Sequence, residues 1–117
     1  MNVEYVREYC LKLKSCTEGF PFDETTLVMK VAGKMFALVN LDEDPSVNLK
    51  CDPEEALELR EEFEAVKPGY HMNKKYWNTV ELNGTVPDDR LKGWIKNSYK
   101  LVVAKLPKVE RVKLGFN

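Results

Sequence analysis

The chain lacks most of what a catalytic centre is built from. It holds one histidine in 117 residues, His71, with no obvious nucleophile beside it. No HExxH, GxSxG or glycine-rich phosphate loop occurs, so zinc hydrolysis, a serine elbow and P-loop nucleotide binding have no signature here. No enzymatic activity is expected, and no cofactor or metal. Cysteine is sparse too. Cys10, Cys16 and Cys51 are odd in number and form no CxxC, which argues against a disulfide framework and a structural zinc site. Cys10 falls on the apolar face of a helix, where cysteine acts as a small hydrophobe. Cys51 precedes a helix N-terminus, but Asp52, Glu54 and Glu55 surround it with negative charge, so all three thiols are read as inert. Long apolar runs are missing as well. The longest, Met35 to Val39, is far short of the ~20 residues that cross a bilayer. The opening MNVEYVREYC carries Glu4 and Glu8 and no apolar stretch, so no signal peptide is expected and a cytoplasmic protein is the default.

What is present suits one globular domain over residues 1–117, with a monomer as the default. Hydrophobic residues make up 44% and aromatics 10%, enough for a packed core. The net charge of −1 hides a division. Residues 1–65 hold seven Lys/Arg against fifteen Asp/Glu, whereas residues 66–117 hold eleven against four. Such a split can mark a basic face for nucleic acid or for an acidic protein partner, or the halves can interleave and neutralise each other.

Periodicity predicts the elements. Val6, Tyr9, Cys10 and Leu13 recur at helical spacing, giving a first helix from Val3 to Ser15 that Asn2 can cap. TEGFPF then breaks regularity. TLVMKV and KMFALVNL read as strands joined by an Ala32-Gly33 hairpin, and SVNLKC as a third strand. DPEEALELREEFEA is a helix with Asp52 as N-cap and Pro53 at its first position. Extended residues 66–72 and WNTVEL supply two more strands. A last helix runs from Asp88 to Lys105, with Leu91, Trp94, Ile95, Ser98, Leu101 and Val102 inward and Lys92, Lys96 and Lys100 outward. The basic tail 108–117, KVERVKLGFN, receives no element and is expected to be poorly ordered. This order predicts an α+β fold, with helices on one face of a mostly antiparallel sheet and the other face open.

Four segments carry a resemblance. FPF at 20–22 ahead of TLVMKVAGKMFALV, then PGYHMNKKYWNTV at 68–80, VPDD at 86–89 and SYKLVVAKLPK at 98–108 resemble the MmcQ/YjbR family in order and spacing. The resemblance implies a frataxin/CyaY-like two-layer α+β sandwich. It is also associated with a "double wing" DNA-binding analogy, and it implies no enzymatic activity. Fold alone does not carry function, so the residues must.

The stretch PGYHMNKKYWNTV concentrates the candidates. Lys67, Lys74 and Lys75 suit phosphate contacts. Tyr70, Tyr76 and Trp77 offer planes for stacking. Asn73 and Asn78 have the groups to bond base edges, and His71 adds a donor or acceptor. Lys92, Lys96 and Lys100 extend the basic set. The expected DNA-binding surface is thus the open sheet face around Lys67, His71, Asn73, Lys74, Lys75, Tyr76 and Trp77, with the helix lysines beside it. The competing structural reading makes Tyr70 and one of Tyr76 or Trp77 core anchors and Asn73 a turn former. A sequence pI of 5.9 weighs against DNA, since such domains usually run basic. Two alternatives remain. One is a protein-interaction module. The other is a frataxin-like metal site, for which Asp23, Glu24, Asp42, Glu43 and Asp44 supply oxygen ligands. In frataxins the first helix is an acidic ridge; here Glu4 and Glu8 are mixed with Arg7, Lys12 and Lys14.

Overall fold

The computed structural model describes residues 1–116. Its elements are α1 (Val3–Leu11), β1 (Cys16–Gly19), β2 (Thr26–Val31), β3 (Lys34–Asn40), β4 (Ser46–Lys50), α2 (Pro53–Glu62), β5 (Val66–Pro68), β6 (Trp77–Glu81), α3 (Asp88–Ala104) and α4 (Lys108–Lys113). The strands form one antiparallel sheet in the order β1-β2-β3-β4-β6-β5. The helices pack on one face. This is the α+β architecture expected from the pattern.

Local chemistry explains most boundaries. Asn2 caps α1 by accepting from the Tyr5 N–H at 2.8 Å. Asp52 caps α2 through the Glu54 and Glu55 N–H groups, with Pro53 first in the helix. Ala32 and Gly33 both take positive φ, 51° and 76°, the pattern of a two-residue hairpin turn whose twist matches its strands.

A bulge organises the core. Met29 pairs with Ala37 but Lys30 pairs with Met35, so Phe36 is the extra residue. Phe36 turns into the helical layer, fully buried, and meets Tyr99 edge-on at 5.3 Å. Its carbonyl accepts the Ser98 hydroxyl at 2.6 Å, and the same hydroxyl accepts the Lys50 N–H at 2.8 Å. That is why a serine sits wholly buried in the inner stripe of α3. Leu91, Ile95, Tyr99 and Val102 complete that stripe, while Trp94 and Leu101 stay at its rim.

Three stretches depart from the sequence reading. TEG, expected to be irregular, belongs to the edge strand β1, pinned to α1 by a two-point Arg7–Glu18 pair at 2.6 and 2.7 Å. Accordingly α1 stops at Leu11, and Ser15 takes a left-handed φ of 61°. The tail also acquires structure. After Pro107 interrupts α3, the Pro107 carbonyl accepts from Arg111 N–H and α4 begins. Phe116 then packs beside Tyr99, with ring centroids 6.1 Å apart. Asn117 lies outside the described residues.

The open face carries a smaller cluster of Val28, Leu38 and Trp77, with Met35 and Met72 against it. This face positions the candidate site.

Candidate functional site

The loop from β5 to β6 lies over the open face. Lys67, Pro68 and Asn78 follow the ladder, and the chain then leaves it at Gly69. Asn48 of β4 donates to the Tyr70 carbonyl at 3.2 Å. The Thr79 hydroxyl donates to Asn48 Oδ1 at 2.5 Å and accepts the Tyr70 N–H at 2.8 Å. This closed set of bonds fastens the loop to two neighbouring strands. Gly69 is required by close approach: a Cβ there would lie 2.8 Å from Trp77 Cβ and 2.9 Å from the Trp77 carbonyl.

The twelve sequence candidates divide among several settings. Trp77 is 8% exposed and forms part of the floor, so its ring is not free to stack. Tyr70, by contrast, is 68% exposed. Of the structural alternatives, Trp77 is therefore the core anchor and Tyr70 is not, because regular pairing ends at Pro68 and the alternation of 66–72 ends with it. Asn73 makes a turn: its side chain accepts the Lys75 N–H at 2.9 Å, and its carbonyl accepts from Tyr76 and Trp77. Asn78 is buried and engaged at both ends, by Arg60 Nε at 2.7 Å and the Ala56 carbonyl at 3.3 Å. His71 is exposed with φ 59°, its ring 4.0 Å from that of Tyr70. Lys67 is paired with Glu81 at 2.8 Å, and this partner raises its pKa. Lys74 donates to the Gly69 carbonyl at 3.1 Å, while Arg60 donates to the Lys74 carbonyl and braces the turn. Lys92 sits 5.1 Å from the Tyr5 ring on the helical side. Lys96 and Lys100 are exposed on α3, in the helical layer rather than on the open face.

One group converges instead at the end of the sheet. The Lys75 ammonium lies 5.6 Å from the centre of the Tyr76 ring, and the Lys105 ammonium 5.8 Å from it. Lys50, partner of Trp77 in the ladder, lies within reach of the Lys105 charge. Burial first, and the Lys105 charge second, lower the Lys50 pKa. Among the described residues no carboxylate lies within 4 Å of any of these three ammonium groups. Lys75 and Tyr76 are expected from the sequence, whereas Lys50 and Lys105 are not. The only signal for them is the β4–β6 register and the C-terminal end of α3, both set by tertiary structure.

The opposite end of the strands is acidic. Asp23 and Asp42 sit in the loops before β2 and after β3. Asp23 is folded into its own loop, accepting from the Thr25 and Thr26 N–H groups at 2.9 and 2.7 Å. These bonds hold its carboxyl below the usual range, the Thr25 N–H foremost. Among the described residues no three His, Cys, Asp or Glu side chains are placed to share a metal ion. The thiols lie far from ordinary reactivity. Burial pushes Cys10 up to about 12 and is the main cause that takes Cys16 and Cys51 up to about 11.

Known proteins are similar to this chain in sequence and in fold. The Escherichia coli K12 protein YjbR, itself uncharacterised, is 32% identical over 112 residues, covering 95% of each chain. The uncharacterised YbdF of E. coli O157:H7 is 34% identical over 112 residues, covering 95% of this chain and 92% of its own. The crystal structure of Deinococcus radiodurans protein DR2400 matches with a TM-score of 0.93 at 41% identity, over 99% of this chain and 89% of that one. A Pseudomonas syringae crystal structure matches with a TM-score of 0.77 at 26% identity, over 86% and 98%. The YjbR family model covers residues 11–101, which hold every strand and the whole of the loop over the open face. By both sequence and fold the chain belongs to the YjbR family.

Proposed function

We propose that the protein binds nucleic acid, DNA in the first instance, weakly and without regard to sequence, through phosphate contacts at the Tyr76 end of the sheet. One observation carries this reading: Lys75 and Lys105 flank one aromatic ring, Lys50 feels the charge of Lys105, and among the described residues no carboxylate is paired with any of the three. Like charges do not converge without cost, and an anion relieves it. Ammonium–ring attraction, worth ~0.5–1 kcal/mol at an exposed site, holds two of the lysines beside the Tyr76 ring. Lys67 and Lys92 are already engaged and are assigned no share. The rest of the surface is acidic enough to keep overall affinity low, so binding is local and salt-sensitive.

Fluorescence-anisotropy titration of labelled oligonucleotides over a series of salt concentrations tests this. Removing two phosphate contacts in Lys75→Ala/Lys105→Ala should flatten the logarithmic salt slope by roughly 1.8 on duplex and 1.4 on single strands. Lys67→Ala should bind as wild type does. Equal losses from both variants would reduce the effect to net charge. Tighter binding of polyglutamate than of either oligonucleotide would turn the reading toward an acidic protein partner.

A further inference from the structure

The open sheet face holds a second feature, remote in character from the lysines. A cleft of about 600 Å³ runs over β2, β3 and β4 beneath the loop at 70–72. That volume suits a small molecule. Leu38 and Met35 form its apolar floor, and Met72 closes one end above Trp77. Phe22 and Tyr70, 64% and 68% exposed, stand at its margins. Large aromatics left this open beside an apolar floor form an exposed apolar patch of the kind that marks a binding surface.

The polar groups fix the kind of occupant. The two floor amides are already committed. Asn48 is bonded to the Tyr70 carbonyl and the Thr79 hydroxyl, and Asn40 to the Asp44 carbonyl and the Asp42 N–H. No lysine or arginine lines the cleft; His71 is its one basic side chain, at the loop beside Tyr70, whereas Asp23 and Asp42 are its carboxylates. Both carboxylates stand beyond Thr26 and Asn40, at the end away from Met35. Along β3 the floor from Met35 to Asn40 spans at most roughly 16 Å at ~3.3 Å per residue. The cleft is therefore apolar at one end, aromatic along its sides and anionic at the other.

We propose that this cleft binds a small amphiphilic organic cation, an aromatic or aliphatic body carrying a protonated amine. The body would lie on Leu38 between Phe22 and Tyr70, whose ring faces also attract cations. The ammonium would reach the Asp42 carboxylate; Asp23, whose oxygens already accept from Thr25 and Thr26, adds its charge to that end.

Three matched probes test it: phenethylamine, 2-phenylethanol and phenylacetate, each titrated into ¹⁵N-labelled full-length protein, with Trp77 emission as a second readout. Phenethylamine is expected to shift the amides of Phe22, Leu38, Asn40 and Tyr70 and to bind roughly fivefold tighter than the alcohol, the worth of one exposed charge pair. Phenylacetate should bind weakest. In Asp23→Asn/Asp42→Asn, which keeps at position 23 one side-chain oxygen to accept the Thr25 and Thr26 N–H groups, the amine and the alcohol should bind alike. Phe22→Ala should weaken both probes together. Absence of cleft shifts with any probe, equal binding of all three to wild type, or a preference that survives the double variant would each overturn the proposal. So would broadening of the same amides with protein concentration alone, which would give the face to a second copy of the chain.

Discussion

Replacing Gly69 by alanine should lift the loop between β5 and β6 away from the sheet. Carbon atoms make ordinary contact at about 3.5–4.0 Å. The new Cβ would meet Trp77 Cβ at 2.8 Å, the Trp77 carbonyl at 2.9 Å and Met72 Cβ at 3.1 Å. The carbonyl is backbone and cannot rotate aside, and it already accepts the Gly69 N–H at 2.9 Å. Relief must come from the loop, at about 1–3 kcal/mol for overpacking and about 1 kcal/mol for the weakened bond. Gly93 is the control. It lies inside α3, and a methyl group added there would meet nothing within 4 Å, so Gly93→Ala should gain about 0.5–1 kcal/mol from helix propensity. At this chain length 1 kcal/mol moves Tm by about 4 °C. Thermal unfolding followed by tryptophan emission should thus show Gly69→Ala lower by roughly 8–16 °C, with Trp77 more exposed before melting, and Gly93→Ala slightly higher. A Gly69→Ala protein that melted within about 1 °C of wild type and kept its native emission would refute the packing argument.

Three further outcomes follow from the same geometry. Ser98→Ala should cost about 2–4 kcal/mol in urea unfolding, because the Phe36 carbonyl and the Lys50 N–H both lose their bond at a buried position; a loss under 1 kcal/mol would mean that the bulge is held by packing alone. Stability should fall as pH rises above about 9. The unfolded Cys10 thiol ionises there while the folded one, raised to about 12, keeps its proton, so the folded form's advantage is complete below pH 9 and drains by up to about 1.4 kcal/mol per pH unit above it. Cys10→Ala should flatten that decline in pH-dependent unfolding, and an unchanged slope would exclude this thiol as its source. Native protein at pH 8 should react with a thiol reagent far more slowly than denatured protein at all three cysteines, and rapid labelling of Cys51 in the native state would contradict its raised pKa.

Much of the fold was readable because its signals are local. The caps Asn2 and Asp52, the Ala32-Gly33 turn and the three- and four-residue spacing of α3 each act within a few residues. The strand β1 was not readable, since CTEG has no alternating apolar pattern and is ordered by pairing with β2 and by Arg7 from α1. Tyr99 was missed in the inner stripe because its burial depends on Phe36, which a bulge turns inward. The site was half legible. Its loop announced itself by composition, and the resemblance over residues 20–108 pointed to the right family. Which side chains face which surface was hidden. Residues 66–72 read as one extended strand, whereas the chain turns at Gly69 and leaves Tyr70 outside and Trp77 beneath. Lys50 and Lys105 are distant in sequence from Tyr76, and only the sheet register and the length of α3 bring them to it.

Phosphate binding is tested most directly by titrating a short unlabelled oligonucleotide into ¹⁵N-labelled protein at low salt and following the amides. Shifts are expected at Lys50, Lys75, Tyr76 and Lys105 that vanish on raising the salt, with Phe22, Asn40 and Asp42 unmoved. Shifts confined to the cleft, or none at low salt, would contradict it.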